Sequence, residues 1–321
     1  MARVAFIRAI VTYGVVVALV ALVLFGFLRY ERFLGAYNVM SVLRYNSMFA
    51  LVALGMSFVI MTGGIDLSVG SVAALGSVAS ALASPYGVLL GLAAGVGVGL
   101  LAGLVNALLV TRAHLLPFIA TLSTMLAASG SALLLAHNAT VSVDYNSGFT
   151  AIGQGSWWIF PIPAMIAAAA YVAGTVILNL TSTGRTVLAV GGGEDATRLM
   201  GLRADRTKLI VYLASGGLAG LAGVILASQF GAGQPTEGVG WELFAIASVV
   251  VGGTLLTGGS GSVVSTLAGV MLLGILFNVL NFENGIGWIS LSAYWQSVIR
   301  GLFLLIVVLI QARLSRRLVA A

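Results

Sequence analysis

The sequence predicts an all-α, polytopic membrane protein with about ten transmembrane helices. Of its 321 residues, 60% are hydrophobic and only 7% are charged, whereas roughly 25% are charged in an ordinary soluble domain. Apolar stretches of about 15 to 25 residues recur along the chain, which suits helical spans of ~20 residues better than barrel strands of ~10 with alternating polarity. Residues 1–321 are therefore expected to form a single transmembrane domain.

Glycine, proline and polar residues divide the chain into its candidate spans. The first apolar run follows Arg3 and Arg8, as in a signal peptide, but it exceeds the usual ~7–15 apolar residues and no small-residue cleavage site precedes Arg29. We therefore interpret it as a retained span. The ten predicted spans are 10–28, 46–62, 66–84, 87–110, 117–136, 162–180, 210–228, 243–257, 260–280 and 294–312.

The basic residues predict the orientation of these spans in the bilayer. With both termini in the cytoplasm, eleven of the fifteen lysines and arginines fall on the cytoplasmic side, as the positive-inside rule requires. Arg29, Arg32 and Arg44 fall outside, and Arg300 lies within the last span. The net charge of +6 is thus explained by orientation, and no nucleic-acid partner is predicted. The eleven are Arg3, Arg8, Arg112, Arg185, Arg198, Arg203, Arg206, Lys208, Arg313, Arg316 and Arg317.

The sequence predicts no catalytic residue, no metal site and no cofactor. There is no cysteine, no H-E-x-x-H pattern and no pair of aspartates within the spans. The segment "GGSG" at 258–261 matches the serine segment of rhomboid-type proteases, but the two histidines, His114 and His137, both precede it. A membrane enzyme is therefore not favoured.

Glycines are abundant and regularly spaced in two of the predicted spans. Gly91, Gly95, Gly99 and Gly103 recur every four residues, and "SGGLAGLAG" at 215–223 repeats the pattern. Small residues at this spacing form one smooth helix face that another backbone can approach closely. These faces are predicted to pack against neighbouring helices.

The segment "VIMTGGIDLSVGSVAALG" at 59–76 places Asp66 between two apolar runs. A carboxylate at a helix centre costs ~2.5–3.5 kcal/mol on insertion scales, so compensation is expected. Asp66 follows a helix-breaking glycine pair, and there it can cap the next helix or contact a substrate directly, since broken helices line transport paths. Thr62, Ser68 and Ser71 add hydroxyl groups. A similar glycine break recurs at 249–270.

The segment "GGIDLSVGS" at 63–71 resembles the hallmark of the permease subunits of monosaccharide ABC importers of the ribose, xylose and galactose group. The resemblance covers nearly the whole chain, and galactofuranose-type systems are within its range. Further similar segments are "PFIATLSTM" at 117–125, "GRTVLAVGGGEDATRLMGL" at 184–202, residues 216–263 and "WQSVIRGLFLLIVVLIQ" at 295–311.

The resemblance implies an ABC importer permease bundle in the bacterial inner membrane that works by alternating access. Its implied partners are cytoplasmic ABC ATPase subunits, a periplasmic sugar-binding protein and a second permease chain, identical or homologous. The chain has no G-x-x-x-x-G-K-[ST] loop, so it is expected to be a transport subunit without its own ATPase site rather than an enzyme.

Residues 181–209, here called the coupling segment, resemble the cytoplasmic loop that contacts the ATPase in this family. Acidic residues begin a short predicted helix, a basic residue follows four positions later, and an apolar pair ends it. Family members often have asparagine at the position of Gly193, which this chain lacks. The predicted coupling residues are Gly184, Arg185, Glu194, Asp195, Arg198, Leu199, Met200 and Gly201.

Uncharged polar residues and outer loops complete the predicted site. The polar residues can exchange hydrogen bonds with sugar hydroxyls, although each can also be an interhelical contact. Glu237 and Glu242 fall in an outer loop where the binding protein is expected to dock, and Phe244 replaces an aspartate common in the family. The tryptophans at 157, 158, 241, 288 and 295 fall at outer ends, as headgroup anchors or sugar-stacking rings. The further pathway residues are Asn106, Thr121, Ser123, Thr124 and Asn278.

Two alternative functions stay open from the sequence. Asp66 at a broken helix is compatible with a self-powered secondary carrier or channel for a small polar solute. Within the importers, permeases for an autoinducer, a nucleoside or branched-chain amino acids are further alternatives. The identity of the sugar and the homodimeric or heterodimeric state do not follow from one chain.

Overall fold

The structure of the chain is a computed structural model that describes residues 2–286 and the six residues 295, 298, 299, 301, 302 and 305. Side chains are described from residue 14 to residue 284 and at those six positions. Most of the predicted last span, 294–312, lies outside this description. Trp288 and four basic residues lie outside it as well. Those basic residues are Arg300, Arg313, Arg316 and Arg317.

The described chain is helical almost throughout, because long apolar runs in a bilayer satisfy their backbone groups within one helix. The helices are α1 (Ala2–Arg29), α2 (Ala36–Met61), α3 (Val69–Ala83), α4 (Val88–Thr111), α5 (Pro117–Leu135), α6 (Ala151–Gln154), α7 (Ile162–Leu180), α8 (Ser182–Gly192), α9 (Glu194–Leu199), α10 (Ala204–Phe230), α11 (Trp241–Val251) and α12 (Val263–Ile286). Short 3-10 turns occur at Ser84–Tyr86 and Tyr145–Ser147.

Four two-residue strands form two small antiparallel pairs in the connections between helices. Strands β1 (Val141–Ser142) and β4 (Ala232–Gly233) pair with each other, as do β2 (Ser156–Trp157) and β3 (Phe160–Pro161). The β2–β3 hairpin carries Trp157 and Trp158, whose side chains are exposed. Exposed tryptophans in a connection between spans are typical of the membrane–water interface.

Seven of the described helices are long and apolar enough to cross a membrane, so a multi-pass membrane protein is confirmed but the predicted count of about ten is not. The predicted span 243–257 corresponds to α11, whose 11 residues reach only ~16 Å of a ~30 Å hydrocarbon core. In α1, whose side chains are described only from residue 14, the apolar part is Gly14–Arg29. The other predicted spans before residue 286 coincide with long helices.

The long helices share a common pair of ends. One end of the bundle is where helices α2, α4 and α7 finish and where α3, α5 and α10 begin. Near this end Asp66 contacts Asn106 and Ile65 contacts Thr121. We call this the inner end, in keeping with the positive-inside prediction, and the opposite end the outer end. Every residue from Asn46 to Met61 of α2 is buried, and α10 packs against α2, α3 and α4. Helices α2 and α10 therefore form the centre of the bundle.

The predicted packing of the glycine faces is confirmed. A Cβ atom added at Gly99 of α4 would lie 2.8 Å from the Cα of Gly220, and one added at Gly216 of α10 would lie 2.8 Å from the Cα of Gly103. Gly91 faces the ring of Phe149 at 2.7 Å by the same measure. Helices α4 and α10 thus approach backbone to backbone, which only small residues permit.

Alanine at Gly99 is expected to destabilise the bundle by about 1–3 kcal/mol, because its methyl group has no space between α4 and α10. Gly97→Ala is the matched control, since it lies on the same helix and its added Cβ meets nothing within 4 Å. The midpoint of thermal unfolding in detergent should fall for the first variant and hold for the second. Equal midpoints would contradict the close packing of α4 and α10.

Candidate functional site

The chain breaks its helical course at residues 62–68, between α2 and α3; we call this the first break. Gly63 has φ +81°, a conformation that L side chains rarely adopt. Asp66 in this break is completely buried. The hydroxyl of Thr121 on α5 accepts the Leu67 N–H at 3.1 Å and lies 3.2 Å from the carbonyl oxygen of Ile65. The first break is therefore fastened to α5 by its backbone.

Both carboxylate oxygens of Asp66 accept hydrogen bonds. Oδ1 accepts the backbone N–H of Ser68 at 3.0 Å, the Ser68 hydroxyl at 2.6 Å and the amide of Asn106 on α4 at 3.3 Å. Oδ2 accepts the hydroxyl of Ser215 on α10 at 2.8 Å. Four donors from three parts of the fold thus surround one buried carboxyl group, as burial of a polar group requires. We call the side chains of Asp66, Ser68, Asn106 and Ser215 the aspartate network.

The structure differs in detail from a simple cap at Asp66. Helix α3 begins at Val69 with Ser68 as its N-cap residue, so Asp66 lies two positions earlier and reaches the helix through the Ser68 N–H. The sequence named Asp66, Ser68 and Asn106 only as separate candidates for the pathway, and the structure brings them together with Ser215, which was not predicted. The position of Ser215 at the start of the glycine-rich segment 215–223 was the signal available in the sequence.

Four other predicted pathway residues lie apart from the aspartate network. The hydroxyls of Thr62, Ser123 and Thr124 bond to carbonyl oxygens of their own helices, at Val59, Ile119 and Ala120. Thr62 and Thr124 are buried, whereas Ser123 is exposed and Ser71 is half-buried in the first turn of α3. A pathway role for these residues stays a prediction.

A cavity of about 810 Å³ opens toward the outer end between α2, α10, α11 and α12. Aromatic rings crowd its inner part. The ring of Phe49 lies 4.3 Å from that of Phe244 and 4.8 Å from that of Trp241, and the rings of Phe244 and Phe277 are 5.5 Å apart, measured between centroids. Phe244, the residue that replaces the aspartate of the resemblance, is therefore part of an apolar floor.

Five amide side chains lie among the residues of the cavity wall. Asn278 lines the cavity and exchanges two hydrogen bonds with Asn38, at 2.8 and 3.0 Å. Two lining residues carry polar atoms without a hydrogen-bond partner in the described part of the chain, Nε of Arg44 and Oε1 of Gln229. Both atoms are buried and are not exposed to the cavity. Further amides in the lining are Asn46, Gln154 and Asn281.

The two glutamates predicted for docking lie along the wall of the bundle. Residues 231–240 run beside α3, where the Gln234 N–H donates to the Ser77 hydroxyl at 2.9 Å. Glu237 lines the cavity. The Glu242 carboxylate accepts the Gly240 N–H at 3.2 Å and lies so close to Gly70 that a Cβ added there would be 2.8 Å from it. The binding protein is also expected to dock near 281–294, and residues 287–294 of that segment lie outside the description.

The coupling segment folds into α8 and α9, joined through Gly193. Gly184 lies in the sharp turn after α7, where an added Cβ would lie 2.5 Å from the carbonyl carbon of Leu178. Leu199, at the end of α9, is 90% exposed, and the neighbouring Met200 is 67% exposed. Two large apolar side chains thus project from the inner end without a covering partner among the described residues.

Ion pairs hold α9 to the start of α10. Arg198 binds Glu194 at 3.0 Å, the predicted i,i+4 pair, and Asp205 at 2.6 Å, while Lys208 binds Glu194 as well. Partial burial raises the pKa of Glu194, but the hydrogen bonds from Lys208 and Arg198 outweigh it and leave this pKa below its ordinary value. The sequence reasoning missed Asp205 and Lys208, because only folding brings the first turns of α10 beside α9.

A family model and several individual proteins each match most of this chain. A family model described as branched-chain amino acid transport system / permease component matches residues 38–308. The ribose import permease protein of Bacillus subtilis is 39% identical over 88% of this chain and 87% of its own length. The Escherichia coli K12 ribose import permease is 38% identical over 85% of each chain. The L-arabinose transport system permease of the same strain is 36% identical over 82% of this chain and 79% of its own. No solved structure matches this chain.

Proposed function

This chain belongs to the family described as branched-chain amino acid transport system / permease component, and we propose that it is the membrane-spanning subunit of an ATP-driven importer that takes up a monosaccharide. The observation that carries the proposal is the similarity to ribose and arabinose import permeases, which extends over 82–88% of this chain. The family model matches residues 38–308, a range that contains the aspartate network and the coupling segment.

The outer cavity suits a sugar as its solute. Amides donate and accept hydrogen bonds without a net charge, as sugar hydroxyls require, and the wall carries several of them, Asn278 and Asn281 included. The aromatic floor at Phe49 and Phe244 offers ring faces for the apolar C–H surface of a sugar. In this proposal the cavity is the outward-open part of an alternating-access pathway, and the aromatic floor closes it toward the first break.

The coupling segment is proposed as the contact with a cytoplasmic ABC ATPase. Leu199 and Met200 form an exposed apolar pair, and the ion pairs of Arg198 hold α9 in place so that its contact surface is already ordered before binding. The proposed complex contains two ATPases, a second permease chain and a periplasmic sugar-binding protein that docks at the outer end near Glu237. The inner end then faces the cytoplasm of the bacterial inner membrane, with both termini on that side.

Asp66 is proposed to shape the pathway rather than to carry a coupling ion. A carboxylate that binds a cation needs free oxygen lone pairs and further oxygen ligands, whereas Asp66 is enclosed by four hydrogen-bond donors. This arrangement favours an importer driven by a partner over a self-powered carrier.

Purification of the tagged chain in mild detergent, followed by reconstitution with its co-purifying proteins, tests the proposed function. We expect an ATPase with a phosphate-binding loop to co-purify, and ATP-dependent uptake of ribose, arabinose or fructose in preference to leucine. A chain that purifies alone and takes up solute along an ion gradient would be a secondary carrier. Preferential uptake of leucine would support the amino acid transport that the family description names.

A further inference from the structure

Three segments of backbone meet at one point of the inner end. The first is the end of α2 with the first break, the second is the end of α8, and the third is residues 252–262 between α11 and α12, here called the second break. The N–H of Gly259 in the second break donates to the carbonyl oxygen of Met61 at 3.0 Å. We call the meeting point the glycine junction, which consists of Met61, Gly63, Gly191, Gly258 and Gly259; Gly192 lies at its edge, where an added Cβ would point into open space.

The contacts in the glycine junction are made by backbone atoms. A Cβ added at Gly191 would overlap the carbonyl oxygen of Met61 and lie 3.0 Å from its carbonyl carbon. A Cβ added at Gly258 would lie 2.7 Å from the nitrogen of Gly63, and one at Gly259 would lie 3.0 Å from the Cα of Gly192. Real Cβ contacts are essentially never shorter than 3.0 Å, so these segments touch without intervening side chains.

The hydrogen bond in the junction has a structural reason. Met61 is the last residue of α2, and carbonyl groups in the last turn of a helix have no partner within it. The second break supplies the missing donor through Gly259. The second break therefore completes the end of α2, and the end of α8 contacts both segments.

The junction lies between the coupling segment and the two helical breaks. From Gly191 the chain passes through Gly193 into α9, which presents Leu199 and Met200. The first break leads into α3 through the aspartate network. The second break joins α11 and α12, and both of these helices line the outer cavity. Close-packed interiors transmit displacement instead of absorbing it.

We propose that the glycine junction binds the end of α8 and both breaks into one rigid body, so that displacement of the coupling segment moves the start of α3 and the α11–α12 pair together. Gly191 is then a positioning residue for coupled transport. The proposal rests on the proposed function, because an ATPase acting on Leu199 and Met200 is the source of the displacement.

Gly191→Ala tests the proposal, with Gly192→Ala as its matched control. The two glycines are adjacent in α8, but an added Cβ at Gly192 meets nothing within 4 Å. In the reconstituted complex we expect Gly191→Ala to retain ATP hydrolysis while the uptake of ribose, arabinose or fructose per ATP hydrolysed falls roughly tenfold or more, as overpacking of a tight contact displaces its partners. Gly192→Ala should match the wild type. Wild-type uptake per ATP by Gly191→Ala would overturn the proposal.

Distances between spin labels keep the proposal testable if Gly191→Ala does not assemble. The chain has no cysteine, so labels can be placed on Gly192→Cys and on Ser260→Cys, both exposed positions, with Leu101→Cys on α4 as an exposed reference. Between the nucleotide-free and ATP-bound complex, the distance from 192 to 260 should stay constant while each changes relative to 101. A change in the distance from 192 to 260 would show that the junction is not one body.

These outcomes are separable from those of the proposed function. If no ATPase accompanies the wild-type chain, the importer itself is refuted. If the wild-type complex couples ATP hydrolysis to uptake and Gly191→Ala does so equally well, the importer stands and only the rigid junction is refuted.

Discussion

Alanine in place of Asp66 is expected to destabilise the folded chain by about 1–3 kcal/mol, the usual cost of leaving a buried hydrogen-bond donor without its acceptor. The substitution leaves the hydroxyls of Ser68 and Ser215, the amide of Asn106 and the Ser68 N–H without their acceptor in a site that water does not reach. A lower midpoint of thermal unfolding in detergent, and less assembled protein in the membrane, are the measurements.

Asparagine at the same position should be tolerated better. Its carbonyl oxygen can accept from Ser68, and its amide can donate to the Ser215 hydroxyl, which is able to accept as well as donate. Ser123→Ala is the control, because that hydroxyl is exposed and bonds to the Ile119 carbonyl oxygen of its own helix. If Asp66→Asn assembles normally but abolishes uptake, the negative charge itself serves transport and the structural role is refuted.

Aspartate in place of Leu199 is expected to abolish binding of the ATPase while leaving the permease folded. Leu199 is 90% exposed, so a polar side chain there costs the isolated chain little. In a contact with a partner, the same charge would be desolvated without a counter-ion, and losses of 2 kcal/mol or more, roughly thirtyfold in affinity, are typical of such contact residues. The measurements are co-purification of the ATPase and ATP hydrolysis by the complex.

Leu199→Met is the matched control for this substitution, since it keeps an apolar side chain of similar volume. It should retain both ATPase binding and ATP hydrolysis. Unchanged co-purification of the ATPase with Leu199→Asp would place the contact elsewhere on the chain. Loss of thermal stability in Leu199→Asp without its partner would instead show that Leu199 is buried within the permease itself.

The sequence by itself determined the class of protein and much of its local structure. Long apolar runs with few charges leave a helical membrane bundle as the physical solution, because a bilayer offers the backbone no hydrogen bonds. The four-residue spacing of the glycines around Gly99, and again around Gly216, predicted close helix contacts. The glycines before Asp66 predicted a break, and the spacing of Glu194 and Arg198 predicted an ion pair. Each of these follows from residues that are close in the chain, where helical geometry alone decides the outcome.

Only the tertiary structure decided which distant residues meet. The sequence placed a full span at 243–257 and indicated a glycine break at 249–270, but only the structure shows that α11 stops after 11 residues and turns at that break. Ser215 is 149 positions from Asp66 in the chain, and the partners of Gly191 come from two other segments. The outer cavity likewise depends on four helices at once. Such contacts depend on the packing of whole helices against one another, and that is set by three-dimensional shape rather than by local spacing.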